Sequence, residues 1–599
     1  MFVGSVFSRE ALTAPRRPRF YAVRVLFVAA LLGLSLTAWQ ILVGSQELRN
    51  PGDLARFGAA VFALLSPLLM YVCLLFSALL SAAAVCQEKD RKTLILLLLS
   101  DLTNTELVLG KLLASMLTVL VVIASTAPFL LALTLLGGIS YVQVGNVLAV
   151  TLVSSLASGS LGSLLALWRE KTFQALALAA LAIVLWLVGW EVVASGAVGR
   201  ELLGVPCHDL AAMASPTRAI DAAVQPALGG PVVVGDGSVG DGPFAIGQAA
   251  AAFAPQQLVA WYLAVCGAIV AVLNGVAIAM IRVWNPSREA RPTTADGPES
   301  SAEGDAQTPV SDAERFEAHR SPGRARPVWE NPVLWREVRT WAYGKKILVI
   351  KFAYVAIFLL CAAAGLQAAA GPSAGGALPA AAAPLAPLLV VSVILVNTLA
   401  VTSLTTERDG KAIDLLLATD LTPRELIFGK LAGAFYNAKE MVLLPLGLMG
   451  VLWLTGRLTG ENLVFVTIGL VVVDLFAAVL GLHAGMIYAN SRQAIAASVG
   501  TLLFLFLGVT ICMRMMVELS DTFEYQLAPF LGFMLGGGVA LFAALGWRNP
   551  STAMGLTCML APLVTFYAIT NFLLSRYDLT FGATVVTFGF ATAAMLVPA

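Results

Sequence analysis

The sequence predicts an all-α polytopic membrane protein: two parallel repeats of six membrane-crossing helices plus an extra C-terminal two-span hairpin, about 12 to 14 spans in all. Three observations predict it. Hydrophobic residues make up 59% of the chain and charged residues 12%, with a mean hydropathy of +0.85, far from a soluble globular composition. The apolar residues gather into runs of about 20, long enough to cross a hydrocarbon core of roughly 30 Å. Finally, Glu88–Leu112 (EKDRKTLILLLLSDLTNTELVLGKL) returns as Glu407–Leu431 (ERDGKAIDLLLATDLTPRELIFGKL), gap-free at an offset of 319 (407 − 88) and identical at more than half of the positions.

The elements follow in order. Arg9, Arg16, Arg17, Arg19 and Arg24 precede an apolar run at 25–43 that no small-x-small cleavage site follows, so it reads as a retained first span. Further runs at 59–85, 107–136, 144–168, 175–198 and 256–283 complete the first half, residues 1–284. Between the last two, 199–255 reads as an outer lid or re-entrant hairpin; its Cys207-His208 pair lacks the further ligands a metal site needs. Residues 285–328 are rich in Ser, Pro, Gly, Glu, Asp and Arg and read as a disordered cytoplasmic linker. The second half, 329–549, opens on an aromatic and basic stretch at 331–343 suited to an interfacial amphipathic helix, with Arg9-Glu10 as its reduced counterpart. Its runs lie at 347–367, 385–405, 427–454, 463–488, 494–517 and 525–547. Two more, 553–574 and 579–597, make up the extra hairpin, 550–599. Lys89, Arg91, Lys92, Arg169 and Lys171 fall in loops on one side, so the positive-inside rule puts those loops and both termini in the cytoplasm.

Composition also excludes function classes. A net charge of +1 argues against a nucleic-acid partner. Seven scattered cysteines without a CxxC argue against a disulfide framework or a structural zinc site. Three histidines and no HExxH or GxSxG argue against an intramembrane enzyme, so no catalytic residue, metal ligand or cofactor is expected.

The duplicated stretch carries the functional signal. A charged cluster runs into a leucine row, stops at Ser100-Asp101 and restarts at Thr103-x-x-Glu106, a capping box; copy two repeats it as Thr422-Pro423-Arg424-Glu425 with proline at the first helical position. Each copy therefore reads as short helix, tight turn, long helix, the last entering lipid after Gly110-Lys111 or Gly429-Lys430. A short helix just before a span, once per half, is what a membrane transporter presents to a soluble motor.

The pattern resembles the cytoplasmic segment of ABC transporter permeases of the type-2 exporter family, E-x-x-x-G-T-x-x-x-L-L-x-T/S-P-x-S-x-x-E-x-x-x-G-K. The match falls on Glu88, Leu97, Leu98, Glu106, Gly110 and Lys111, and on Glu407, Gly410, Leu416, Leu417, Glu425, Gly429 and Lys430. It departs at Lys92-Thr93 and Lys411-Ala412, where the family has Gly-Thr, and at Asp101 and Asp420, where it has proline. The resemblance implies that segments 87–103 and 406–422 are coupling helices seated on a separate, dimeric ABC ATPase subunit. The partner-binding residues are then Glu88, Lys92, Leu97, Leu98, Asp101, Glu106, Glu407, Lys411, Leu416, Leu417, Asp420 and Glu425. It further implies a permease of the cell inner (plasma) membrane that exports an unidentified substrate. The chain has no Gly-x-x-x-x-Gly-Lys-Ser/Thr, so ATP hydrolysis belongs to the partner. An ion-coupled secondary transporter, also built from repeats, is the alternative, and the duplicated motif decides against it.

One feature breaks the repeat. Lys439, Glu440 and Asp474 form an intramembrane charge cluster expected near the bilayer midplane, where the first half has Leu120, Val121 and Ser155. The bland expectation is a buried Lys439–Asp474 ion pair; the sharper one places Glu440 on the substrate path.

Overall fold

In the computed structural model, residues 4–13, 18–45, 51–169, 172–194, 201–202, 205–224, 255–285, 329–339, 347–370, 385–456, 458–518, 523–548 and 550–596 are described. The expected linker, the Gly/Asp-rich patch at 235–242 and the Ala/Gly/Pro-rich loop after residue 370 lie outside them. Among the described residues, ten α-helices fall within 1–284: α1 (Gly4–Thr13), α2 (Pro18–Ser45), α3 (Pro51–Asp90), α4 (Thr93–Leu99), α5 (Asn104–Leu133), α6 (Tyr141–Trp168), α7 (Thr172–Ala194), α8 (Cys207–Ala214), α9 (Pro216–Val224) and α10 (Pro255–Trp284). Ten more follow: α11 (Pro332–Arg339), α12 (Ile347–Ala370), α13 (Leu385–Asp409), α14 (Ala412–Leu417), α15 (Pro423–Leu454), α16 (Gly460–Ile487), α17 (Ser491–Glu518), α18 (Phe523–Leu545), α19 (Thr552–Leu573) and α20 (Tyr577–Leu596). A two-residue antiparallel pairing, Glu201–Leu202 with Val205–Pro206, is the described β structure.

Among the described residues, 12 helices are long and apolar enough to cross a membrane; α2 and α18 contribute shorter described apolar stretches, Phe27–Leu36 and Phe530–Leu545. The protein is thus an all-α polytopic membrane protein. Only helices satisfy every backbone group in hydrocarbon without a partner segment, and buried hydroxyls follow the same logic: Ser66 donates to the Phe62 carbonyl at 2.7 Å, one turn back.

The helices pack in two like sets. In the first set α3 lies against α5, α6 and α7, and in the second α13 lies against α15, α16 and α17. Small residues permit the closest approach at matching places. A Cβ on Gly162 would sit 2.3 Å from the Ala78 carbonyl oxygen, and one on Gly481 (162 + 319) 2.7 Å from that of Asn397 (78 + 319). The short helix α1 packs on α5 as α11 packs on α15, and each carries an Arg-Glu pair in its sequence, Arg9-Glu10 and Arg336-Glu337. α20 lies against α16 as α10 lies against α6.

The sets also exchange helices: α7 packs on α13 and α17 packs on α3. The outer region expected as a lid appears, within 205–224, as the α8–α9 hairpin, whose α9 is buried against α3, α6 and α10. Glu191 of α7 anchors it, accepting from Thr217 Oγ1 at 2.7 Å and pairing with Arg218 at 3.0 Å.

Candidate functional site

Each duplicated stretch is a helix end, a reversal, a short helix and a second cap, and the two copies are built alike. α3 closes with Arg91 and Lys92 amides donating to the Gln87 and Lys89 carbonyls, and α13 with Gly410 and Lys411 amides donating to Thr406 and Arg408. The last of these residues in each copy must turn sharply into the short helix, and it does so in the left-handed region: Lys92 at φ 59°, Lys411 at φ 56°. These are the two positions at which the type-2 pattern has glycine, the residue for which that conformation costs least. Both expected capping boxes are present: Thr103 Oγ1 accepts from the Glu106 amide while Glu106 accepts from the Thr103 amide, and Thr422 and Glu425 do the same.

The charged cluster turns inward. Glu88 pairs with Lys111 at the start of α5. Lys89 Nζ donates to the carbonyls of Leu167 and Arg169 at 2.6 and 2.9 Å, where the free carbonyls at the end of α6 favour a cation. Asp90 accepts from Thr172 Oγ1 at 2.5 Å, at the opening of α7. Copy two repeats all three: Glu407 with Lys430 at 2.6 Å, Arg408 with the Gly485 carbonyl at 2.6 Å, and Asp409 with Ser491. The second copy adds the interfacial helix α11, an elbow before the first span of that set, since Lys430, 1% exposed, also pairs with Glu337 at 2.6 Å, and Arg336 reaches Glu407. The side chains of Glu88 and Glu407 thus have partners within the chain and position the short helices.

Beyond Thr93 at the start of α4, the described side chains that project outward from the short helices are apolar. In α4, Leu94 and Leu98 are one turn apart and buried and Leu97 is half-buried, while Ile95, Leu96 and Leu99 are exposed. In α14, Leu416 is half-buried and Leu415 exposed; the Leu417 side chain is outside the described residues. Leu96 and Leu415 correspond at the offset of 319 and are 67% and 72% exposed. The family pattern points to the neighbouring leucines, and the unbroken apolar row conceals the facing, since Ile95 and Leu99 share the i, i+4 spacing of Leu94 and Leu98 yet are exposed. Around this apolar face stand exposed Lys92, Asp101, Lys411 and Asp420. Copy one is braced by α10, through Arg282 Nε to Asn104 Oδ1 at 2.7 Å.

The intramembrane charges do not gather. The expected Lys439–Asp474 pair is absent: Lys439 lies over the Tyr436 ring, 4.3 Å from its centroid, on the exposed side of α15. Asp474 is fully buried, with Ser392 Oγ 3.5 Å from one oxygen and no partner for the other. Glu440, one residue and about 100° around the helix from Lys439, pairs with Lys351 of α12 at 2.6 Å. In the first half Arg24 of α2 reaches α5 through a hydrogen bond to Ser125 Oγ at 3.2 Å. Arg24 and Lys351 are related by the elbow offset of 327 (336 − 9), which the motif offset hides.

Residues 30–193, from within α2 to the end of α7 and including the first copy of the motif, match the family model described as ABC-2 family transporter protein. No curated protein and no solved structure matches the chain.

Proposed function

We propose that this chain, a polytopic membrane protein whose residues 30–193 match the ABC-2 transporter family, is the membrane permease subunit of an exporter whose ATP is hydrolysed by a separate protein. The observation that carries the reading is the pair of outward leucines, Leu96 and Leu415, on two short helices built alike and anchored alike. Two like helices in one chain suit the two like subunits of a dimeric ATPase. The two sets of helices are then two permease halves joined by the 285–328 linker, each bringing one coupling segment. The exposed leucines dock, Asp101 and Asp420 border them, and the Glu88–Lys111 and Glu407–Lys430 pairs transmit the docked position to α5 and α15. The short helices and both termini face the cytoplasm of a cell whose inner membrane holds the complex.

The Leu96→Asp, Leu415→Asp double variant tests this reading. It places two carboxylates in a desolvated contact, and the co-purified ATPase is expected to be lost while the permease stays in the membrane. Normal ATPase binding and transport by that variant would reduce the duplicated segment to a membrane re-entry loop. The ion-coupled alternative keeps one observation, the buried Asp474 carboxyl with an unpartnered oxygen. Transport driven by an imposed ion gradient without ATP, and lost in Asp474→Asn, would favour it.

A further inference from the structure

Lys439 carries a charge that nothing described in the chain neutralises. Its ammonium rests on the Tyr436 ring, its neighbour Glu440 turns to Lys351, and Asp474 stays in the core. Lys439 and Tyr436 are both exposed, on a stripe of α15 that continues through exposed Phe428 and Leu443. α15 crosses the membrane, so this stripe meets lipid.

The depth of the ammonium follows from the elbow. α11 touches α15 at Gly429 and Gly433, where a Cβ would meet Val333 and Glu337 at 2.9 and 2.7 Å, and an amphipathic helix of this kind lies at the interface. Lys439 is six residues beyond Gly433, about 9 Å along the axis at 1.5 Å per residue. Helical side chains lean toward the N-terminus, and the ring that holds the ammonium is three residues earlier, so the charge sits roughly 5 Å below the elbow. From that level the nearest available anions are the lipid phosphates just above, within the reach of a lysine side chain. A cation in this position requires an anion or water, and Lys reaches such partners by snorkelling.

We propose that Lys439 and Tyr436 form a binding site for the phosphate of an anionic glycerophospholipid in the leaflet on the side of the short helices, one lipid per chain. The Tyr436 ring holds the ammonium within reach of the phosphate, and exposed Leu443, about 10 Å further into the membrane on the same stripe, lines the acyl chains. An anionic headgroup is preferred because a choline or ethanolamine group would bring a second cation beside Lys439. The first half has no such site: the matching positions are Leu117 (436 − 319) and Leu120 (439 − 319).

Native mass spectrometry of the full chain in detergent, titrated with phosphatidylglycerol or with phosphatidylcholine of the same acyl chains, tests this. Wild type is expected to retain one phosphatidylglycerol more tightly than phosphatidylcholine. Lys439→Met should weaken phosphatidylglycerol about fivefold, the factor equivalent to roughly 1 kcal/mol per membrane-surface lysine, and leave phosphatidylcholine unchanged, while Lys439→Arg keeps the preference. Inorganic phosphate at the same concentration should not compete. Equal retention of the two lipids by wild type overturns the site, even where Lys439→Met is not recovered. Unchanged phosphatidylglycerol on Lys439→Met, or displacement by inorganic phosphate, overturns it as well.

Discussion

At the scale of single residues, two lysines bear conformational cost and one bears electrostatic responsibility. Lys92 and Lys411 hold left-handed backbone at the entry to the short helices, a conformation that costs an L-residue roughly 1 to 2 kcal/mol. Lys92→Gly and Lys411→Gly should therefore each raise thermal stability in detergent, by up to about 1 kcal/mol once the greater freedom of unfolded glycine is subtracted. Lys92→Val should lower it. Lys430 differs from its counterpart Lys111 because it is enclosed with Glu337 and Glu407, whereas the Lys111 and Glu88 side chains are 15% and 26% exposed. Removing one partner from a buried network strands the others, so Lys430→Met should cost about 3 to 5 kcal/mol. Lys111→Met should cost about 1 kcal/mol or less. Thermal unfolding of the two variants side by side measures the difference, and equal losses would show that the elbow contact carries no weight.

At the scale of elements, the closest helix contacts depend on two glycines. Gly162 on α6 and Gly481 on α16 leave no room for a methyl group, whereas a Cβ on Gly145 of α6 would meet nothing within 4 Å. Gly162→Ala and Gly481→Ala should push their helices apart from α3 and α13 and lower the melting temperature, while Gly145→Ala should leave it unchanged or raise it slightly. Size-exclusion profiles after heating separate these outcomes. A fall for Gly145→Ala equal to the others would mean that helix propensity, not packing, sets the effect. The same scale explains the short helices. Seven and six residues are too few to hold a helix alone, so α4 and α14 persist through the caps that follow them and the ion pairs that precede them.

At the scale of the whole molecule, the two sets of helices are held together by reciprocal exchange. α7 buries Ala177 and Leu181 in a core shared with α12 and α13, and α17 buries Ile495 and Val499 in one shared with α3. Residues 1–300 and 310–599 expressed as two chains should therefore co-purify, while 1–300 alone should be recovered poorly. Independent stability of that fragment would contradict a shared core.

The helical, membrane-crossing character, the internal repeat, the capping boxes and the existence of two short helices were determined by the sequence alone. Each rests on local chemistry: run length against bilayer thickness, a cap three residues from its partner, and like residues at a constant offset. Direction was decided only by the tertiary structure. A row of six apolar residues does not say that Leu94 and Leu98 face in while Leu96 faces out, and a cluster of charges does not name its partners. Glu88 and Glu407 pair inward because α5 and α15 bring Lys111 and Lys430 to them, and Lys439 misses Asp474 because it lies on the far side of α15. Such facings depend on neighbours from distant parts of the chain, and no local pattern of residue types contains them.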